Sequence, residues 1–285
     1  MASRLPTPRP EAPVPLREPA PAKLNLALHV RARREDGYHE LETLFAFCTD
    51  GDWITGTSVS APAPGFTLET EGPFGAELGS NDNLVERAWS ALSRHQPKPH
   101  HTALNLDKRL PIASGLGGGS ADAAATLRLL TSLWKLDPAH AQDVAPTLGA
   151  DVPACLLSMT ARGEGVGERL VPLDLPDLSG TPVLLVNPRV ALATPQVFAG
   201  WDGKDRGPLG DGWREGRNDL EAPARAIAPV VGDVLEWLRK QDGVDLARMS
   251  GSGATCFGLF DSIEARDAAA ARMRGEWWHM ATRLR

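Results

Sequence analysis

The segment Ala22 to Val30 (AKLNLALHV) alternates apolar and polar positions, the period-two pattern of a half-buried strand. Asp36-Gly37 follows with turn chemistry, and Leu41 to Phe47 predicts a second strand. Trp53 to Val59 and Phe66 to Thr70 predict two more, broken by Pro62, Pro64 and Gly65. The period then changes. Asn81-Asp82-Asn83 can cap a helix over Leu84 to Leu92, and Ala103 to Leu106 reads as a short strand. Ala121 to Trp134, rich in alanine and leucine, is a strong helix, and Asp137-Pro138 opens another that should stop at Gly149. Further on, the pattern predicts strands over Val183 to Val186 and Ala254 to Phe260. It also predicts a long polar loop over Gly200 to Gly216 and helices over Pro229 to Leu238 and Ile263 to Met273.

Strands precede helices, and the two mix again in the second half, which predicts an α+β protein of two domains and not one doubly wound sheet. The expected division is a disordered proline-rich arm over 1–20, a first domain over 21–161 and a second over 162–285. The arm carries proline at nearly every third position and no apolar stretch, so it is neither a signal peptide nor a membrane span.

Composition narrows the partners. The chain of 285 residues has a net charge of −6, which argues against nucleic acid or an anionic membrane as partner. Its three cysteines, Cys48, Cys155 and Cys256, lie far apart, with neither disulfide-framework nor zinc spacing. A cytoplasmic protein acting on small molecules is expected; the sequence does not define an oligomeric state.

The most informative segment is Pro111-Ile112-Ala113-Ser114-Gly115-Leu116-Gly117-Gly118-Gly119-Ser120-Ala121. Glycines let backbone amides approach an anion, and a helix that starts immediately afterwards aims unpaired N–H groups and its dipole at the same point. Strand, glycine loop and helix together make a phosphate cradle. A plain flexible turn is the simpler reading, but ordering four glycines in five positions is entropically expensive for a mere connector. The loop is not a Walker A loop, since no lysine follows Gly119. It is not a dinucleotide fingerprint, since Ser120 stands where the third glycine belongs, nor a hydrolase elbow, since Asp122 stands where glycine would be needed.

Ser250-Gly251-Ser252-Gly253 offers further donors, although such runs also make ordinary turns. Lys23 and Asn25 share one face of the first strand, where solvent exposure is the bland reading. Asp151 could simply cap a short helix starting near Pro153, as Asp137 does before Pro138.

Four segments, taken in order and spacing, resemble the GHMP kinase superfamily: Ala22-Lys23-Leu24-Asn25-Leu26, Asp36-Gly37-Tyr38-His39, the glycine loop continuing Ser120-Ala121-Asp122-Ala123-Ala124, and Ser250-Gly251-Ser252-Gly253-Ala254. Gly149-Ala150-Asp151-Val152-Pro153, Glu164-Gly165-Val166-Gly167-Glu168 and Asn218-Asp219-Leu220-Glu221 fit the same family. The resemblance spans nearly everything beyond the arm, up to an expected C-terminal helix.

The resemblance implies a two-domain GHMP kinase fold, with a ribosomal-protein-S5-like first domain, a ferredoxin-like second domain and the active site in the cleft. It implies an ATP-dependent kinase whose acceptor alcohol carries cytidine diphosphate. Another member acting on mevalonate, homoserine or a sugar is the near alternative, and a non-catalytic nucleotide-binding regulator the distant one. Asp151 would take or orient the proton of the acceptor hydroxyl, and Lys23 would keep that carboxylate ionised and stabilise developing charge. Pro111 to Ala121 would wrap the ATP phosphates, with Asn83 and Lys108 near the nucleotide. Asn25, Tyr38, His39, Phe198 and Ser250 to Gly253 would hold the acceptor, Phe198 stacking on cytosine. Two departures stand out. Ala121 replaces a serine common in the family, and no second carboxylate for a metal is evident, so Mg²⁺ is expected on the nucleotide with no protein ligand.

Overall fold

The computed structural model describes residues 14–79 and 83–285. Residues 1–13 of the expected arm, and Asn81-Asp82 of the expected cap, lie outside the described residues. The first strand, β1 (Leu16–Arg33), pairs along its whole length with the antiparallel β2 (His39–Ser60). Leu16 to Ala20 face Gly56 to Asp52 in that ladder, so the arm expected over 1–20 gives way to strand five residues early. The two strands expected over Leu41 to Phe47 and Trp53 to Val59 are one. Turn-like Asp50-Gly51-Asp52 stays extended because both halves pair with β1, and Gly51 permits the approach: a Cβ there would lie 2.2 Å from the Ala20 carbonyl oxygen.

Among the described residues, β3 (Gly65–Glu71), β4 (His100–Asp107), β5 (Ala161–Gly165) and β6 (Arg169–Pro172) complete a sheet of order β3-β4-β2-β5-β6, with β1 also on β2. The division expected at 161/162 therefore falls at the first residue of a strand that bonds to β2, and this sheet extends to Pro172. Four helices cover its face: α1 (Leu84–Ser93), α2 (Gly118–Trp134), α3 (Pro138–Leu148) and α4 (Val152–Leu157). Their alanines and leucines, with Phe45, Phe47 and Ile54 of β2, form the first apolar core.

The second sheet has order β10-β7-β9-β8, all antiparallel: β7 (Pro182–Asn187), β8 (Val244–Met249), β9 (Cys256–Phe260) and β10 (Trp278–Arg283). Helices α5 (Thr194–Ala199), α6 (Glu221–Ile227), α7 (Val230–Arg239) and α8 (Ile263–Ala271) complete this half. Gly200 to Gly216 contains neither helix nor strand, as its composition predicts. The helix expected over Ile263 to Met273 is α8, and the strand β10 follows it. A third core lies between the sheets. Leu24, Leu26, Leu44 and Ala46 pack there against Val183, Leu185, Phe257 and Leu259, joined by Leu110 and Leu116 from the ends of the glycine segment.

Candidate active site

The register of β1 shifts between Pro21 and Lys23 and again between Asn25 and Ala27, at the two residues expected to share a face. The Lys23 ammonium donates to Asp151 Oδ2 at 2.9 Å and to Asn25 Oδ1 at 3.0 Å. Asn25 is oriented in turn: its Nδ2 donates to Thr43 Oγ1 at 2.8 Å, and Thr43 donates to the Ala27 carbonyl at 2.7 Å. The Lys23 side chain is 4% exposed and that of Asp151 37%, so the lysine is locked in the wall and the carboxylate looks into open space. Asp151 does stand at the N-terminus of α4, but its side chain makes no capping bond. Its partner is a lysine 128 positions away.

The glycine loop runs beside this pair. Gly115 and Gly117 have φ of +78° and +63°, the left-handed region that favours glycine. Helix α2 begins at Gly118, inside the run, with Gly117 as its N-cap and no side-chain cap. Its first amides therefore have no side-chain cap, as an anion cradle would require. The Ser250 hydroxyl fixes the loop to the acceptor side, accepting from the Asn25 amide at 3.2 Å and donating to the Gly115 carbonyl at 2.9 Å. The Thr255 amide donates to the Ser114 carbonyl at 3.0 Å. A Cβ on residue 115 would sit 2.4 Å from the Ser250 carbonyl oxygen and 2.8 Å from that of Gly253. Gly115→Ala is expected to raise KM for ATP at least tenfold, by roughly 1.4 kcal/mol or more, because both contacts are backbone and the φ is wrong for alanine. Steady-state kinetics over ATP concentration checks this.

A cavity of about 900 Å³ opens over the pair and the loop. Its lining includes Pro111 to Gly115 and Gly117 to Ser120 of the loop, Lys23, Asn25 and Asp151, Tyr38, His39 and Phe198, and Gly251 and Ser252. His39 is buried, its ring 5.0 Å from that of Phe198 and edge-on to Trp201 at 5.7 Å. Burial, aided by the Arg33 charge, lowers its pKa and favours the neutral ring. Tyr38 is 61% exposed at the mouth, so it is not a core tyrosine.

Other expected site residues serve behind the wall. Leu116 and Ala121 are buried apolar anchors, Ser250 ties the loop as above, and Gly253 packs against Met249 and Leu192. Asn83 caps α1, its Oδ1 accepting from the Val85 amide at 2.9 Å. Lys108, expected near the nucleotide, borders the cavity, yet its ammonium is taken by Asp52 and Asp122. Thr43, Asp52, Thr194 and Trp201 escaped the sequence reading. Only Thr194 carried a signal, the threonine-proline start of α5.

The model of the GHMP kinases N terminal domain matches residues 83–159, and that of the GHMP kinases C terminal matches 202–278. The 4-diphosphocytidyl-2-C-methyl-D-erythritol kinase of Rhizorhabdus wittichii is 51% identical over 281 residues, covering 94% of each chain. The protein of that name from Novosphingobium aromaticivorans is 52% identical over 276 residues, covering 95% of this chain and 93% of its own. A crystal structure of 4-(cytidine 5'-diphospho)-2C-methyl-D-erythritol kinase superposes with a TM-score of 0.81 at 37% identity, covering 94% of this chain and 99% of that one.

Proposed function

The chain belongs to the GHMP kinase family, and from that premise we propose that it transfers the γ-phosphoryl group of ATP to the 2-hydroxyl of 4-diphosphocytidyl-2-C-methyl-D-erythritol, in the non-mevalonate route to isoprenoid precursors. The observation that carries this reading is that one cavity is lined together by the Lys23–Asp151 pair, the glycine loop and the packed His39 and Phe198 rings. ATP phosphates lie along Pro111 to Ser120, and the cytidine ring lies against Phe198 and His39, with Tyr38 at the mouth.

In this reading the acceptor hydroxyl lies over Asp151. The carboxylate accepts the hydroxyl proton as oxygen attacks the γ-phosphorus and the bond to the β-phosphate oxygen breaks, leaving ADP. Lys23 keeps Asp151 ionised before transfer and offsets negative charge during it. Its three donors suit that role, since two are spent on Asp151 and Asn25. Mg²⁺ would be carried on the nucleotide, with no protein ligand assigned, and would supply charge neutralisation on the phosphates; the oxygen groups of Asp151 and Ser120 that line the cavity are compatible with an ion carried in this way. Among the described residues no helix is long and apolar enough to cross a membrane. The three buried, unpaired cysteines suit the cytoplasmic setting we propose.

The test is ATP consumption over a panel of 4-diphosphocytidyl-2-C-methyl-D-erythritol, 2-C-methyl-D-erythritol 4-phosphate, mevalonate, homoserine and galactose. Turnover is expected with the first alone. Turnover only with acceptors lacking the cytidylyl group would overturn the reading, and none with any of them would favour a regulator.

A further inference from the structure

Beneath the glycine loop lies a group of charges that touches no substrate in the mechanism above. Asp52 of β2, Lys108 at the end of β4 and Asp122 in the first turns of α2 are each at most 2% exposed. Lys108 Nζ donates to Asp52 Oδ2 at 2.5 Å and to Asp122 Oδ2 at 2.6 Å. Asp52 Oδ1 accepts the amides of Arg109 and Leu110, at 2.5 and 2.8 Å, where the chain leaves β4 for the loop. One end of the loop is thus held by Asp52, the other by Asp122, and Lys108 joins the two. The ammonium lies directly under the start of α2: a Cβ on Gly118 would be 3.0 Å from Nζ. Only one layer of backbone separates the group from the face that receives phosphate.

We propose that Asp52, Lys108 and Asp122 are positioning residues for ATP, bracing the glycine loop from behind and setting the charge that the phosphates meet through it. The inference rests on the reading of that loop as the nucleotide site. With both carboxylates ionised the group carries one net negative charge, which repels the phosphates. With a proton on one carboxyl it is neutral. Burial pushes the Asp122 carboxyl up to about 8, with the neighbouring Asp52 adding to the effect and Lys108 opposing it. Asp122 Oδ1 is buried without a hydrogen-bond partner, as suits a carboxyl close to neutrality.

Other charged groups surround the cluster, among them Arg109, whose pKa is raised chiefly by its bond to Asp107 and also by Asp52. On Lys108 burial works against the charge, but the two carboxylates outweigh it and its pKa is raised. Cys155 of α4 faces Asp122 with a thiol that burial pushes up to about 12. The Lys23–Asp151 pair of β1 and α4 is internally compensated. Helix α1 turns Val85 and Ala88 inward, and its Glu86 and Arg87 are exposed.

KM for ATP is therefore expected to be lowest below about pH 8 and to rise as pH increases through it, by about tenfold between pH 7 and 9.5 for one unit charge one backbone layer from the phosphates. The terminal phosphate of ATP, whose last pKa lies at about 6, is already mostly ionised at pH 7, and its remaining ionisation would lower KM with rising pH and not raise it. In Asp122→Asn, isosteric and neutral at every pH, the slope should vanish, and Asp122→Ser provides the same neutrality should the amide variant fold poorly. Calorimetric binding of a non-hydrolysable ATP analogue over the same pH range should show the same contrast without turnover. Equal slopes in wild type and variant, or a flat wild-type profile, would overturn the proposal. Loss of 4-diphosphocytidyl-2-C-methyl-D-erythritol turnover with the binding contrast intact would count against the acceptor assignment instead. Absence of analogue binding at every pH would remove the nucleotide site itself.

Discussion

Asp151→Asn is expected to lower kcat by roughly 10³–10⁴-fold, the upper range for losing a positioned proton acceptor, while the affinity for a non-hydrolysable ATP analogue stays close to that of the wild type. Asparagine keeps the shape and can still accept from Lys23 Nζ, now 2.9 Å from Asp151 Oδ2, so the wall should stand. It cannot take the hydroxyl proton, and it no longer compensates the charge of a lysine that is 4% exposed. Both effects fall on the transfer step, because Asp151 makes no structural cap on α4 whose loss would unravel the helix. Steady-state kcat together with analogue titration checks the split. A variant that binds both substrates and keeps more than a tenth of the wild-type kcat would remove Asp151 from the chemistry.

Lys108→Met has the largest effect expected on stability. Methionine approximates the lysine stem but leaves Asp52 and Asp122 buried without their cation. Breaking a buried ion pair by removing one partner costs about 3–5 kcal/mol. For a protein of this size each kcal/mol lowers Tm by roughly 2–4 °C, so a fall of about 10 °C or more should be seen by calorimetry. Adding Asp122→Asn removes a carboxyl that would otherwise ionise at high pH, so recovery of part of the loss is expected only above about pH 8. A Tm within about 2 °C of the wild type would show that Lys108 is not the electrostatic centre of this group. The sign with pH is the one Asp122 already gives the wild type, since a carboxyl raised on folding loses its contribution as pH rises. The variant should regain stability as pH falls and the carboxyls protonate, because Asp122 already holds its proton more tightly than usual.

Local chemistry was legible wherever the structure uses it locally. Asp137 accepts from the Ala139 amide and opens α3 before a proline, and Asn83 does the same for α1. The left-handed φ values of Gly115 and Gly117 are what the glycine run requires for a cradle. What could not be read from the pattern is which distant residues meet. Asp151 has the spacing of a cap and is none, because an ammonium from β1 competes for its carboxylate. The resemblance puts Lys108 near the nucleotide, but Asp52, far back in the chain, and Asp122 take its ammonium. Strand β8 was missed because Asp245 and Arg248 interrupt its apolar pattern at the edge of its sheet. Two strands were expected where β2 is one, since Gly51 reads as a turn until the approach of Ala20 is known. Family resemblance supplied the pairing of Lys23 with Asp151, which spacing alone did not.

The apolar layer between the two sheets has a further consequence for how such a protein can be taken apart. Leu24, Leu26 and Leu44 pack with Val183, Leu185 and Phe257, flanked by the bonds of Arg248 to the Leu26 carbonyl and of Thr282 to Asp50, and Leu110 and Leu116 carry the glycine segment into the same layer. A fragment cut after Pro172 would expose one greasy face and its remainder the other. Neither half is a portable module that could be grafted onto another enzyme. The donor loop and acceptor pocket have a common foundation, so changes that retune one must be compatible with the packing beneath both.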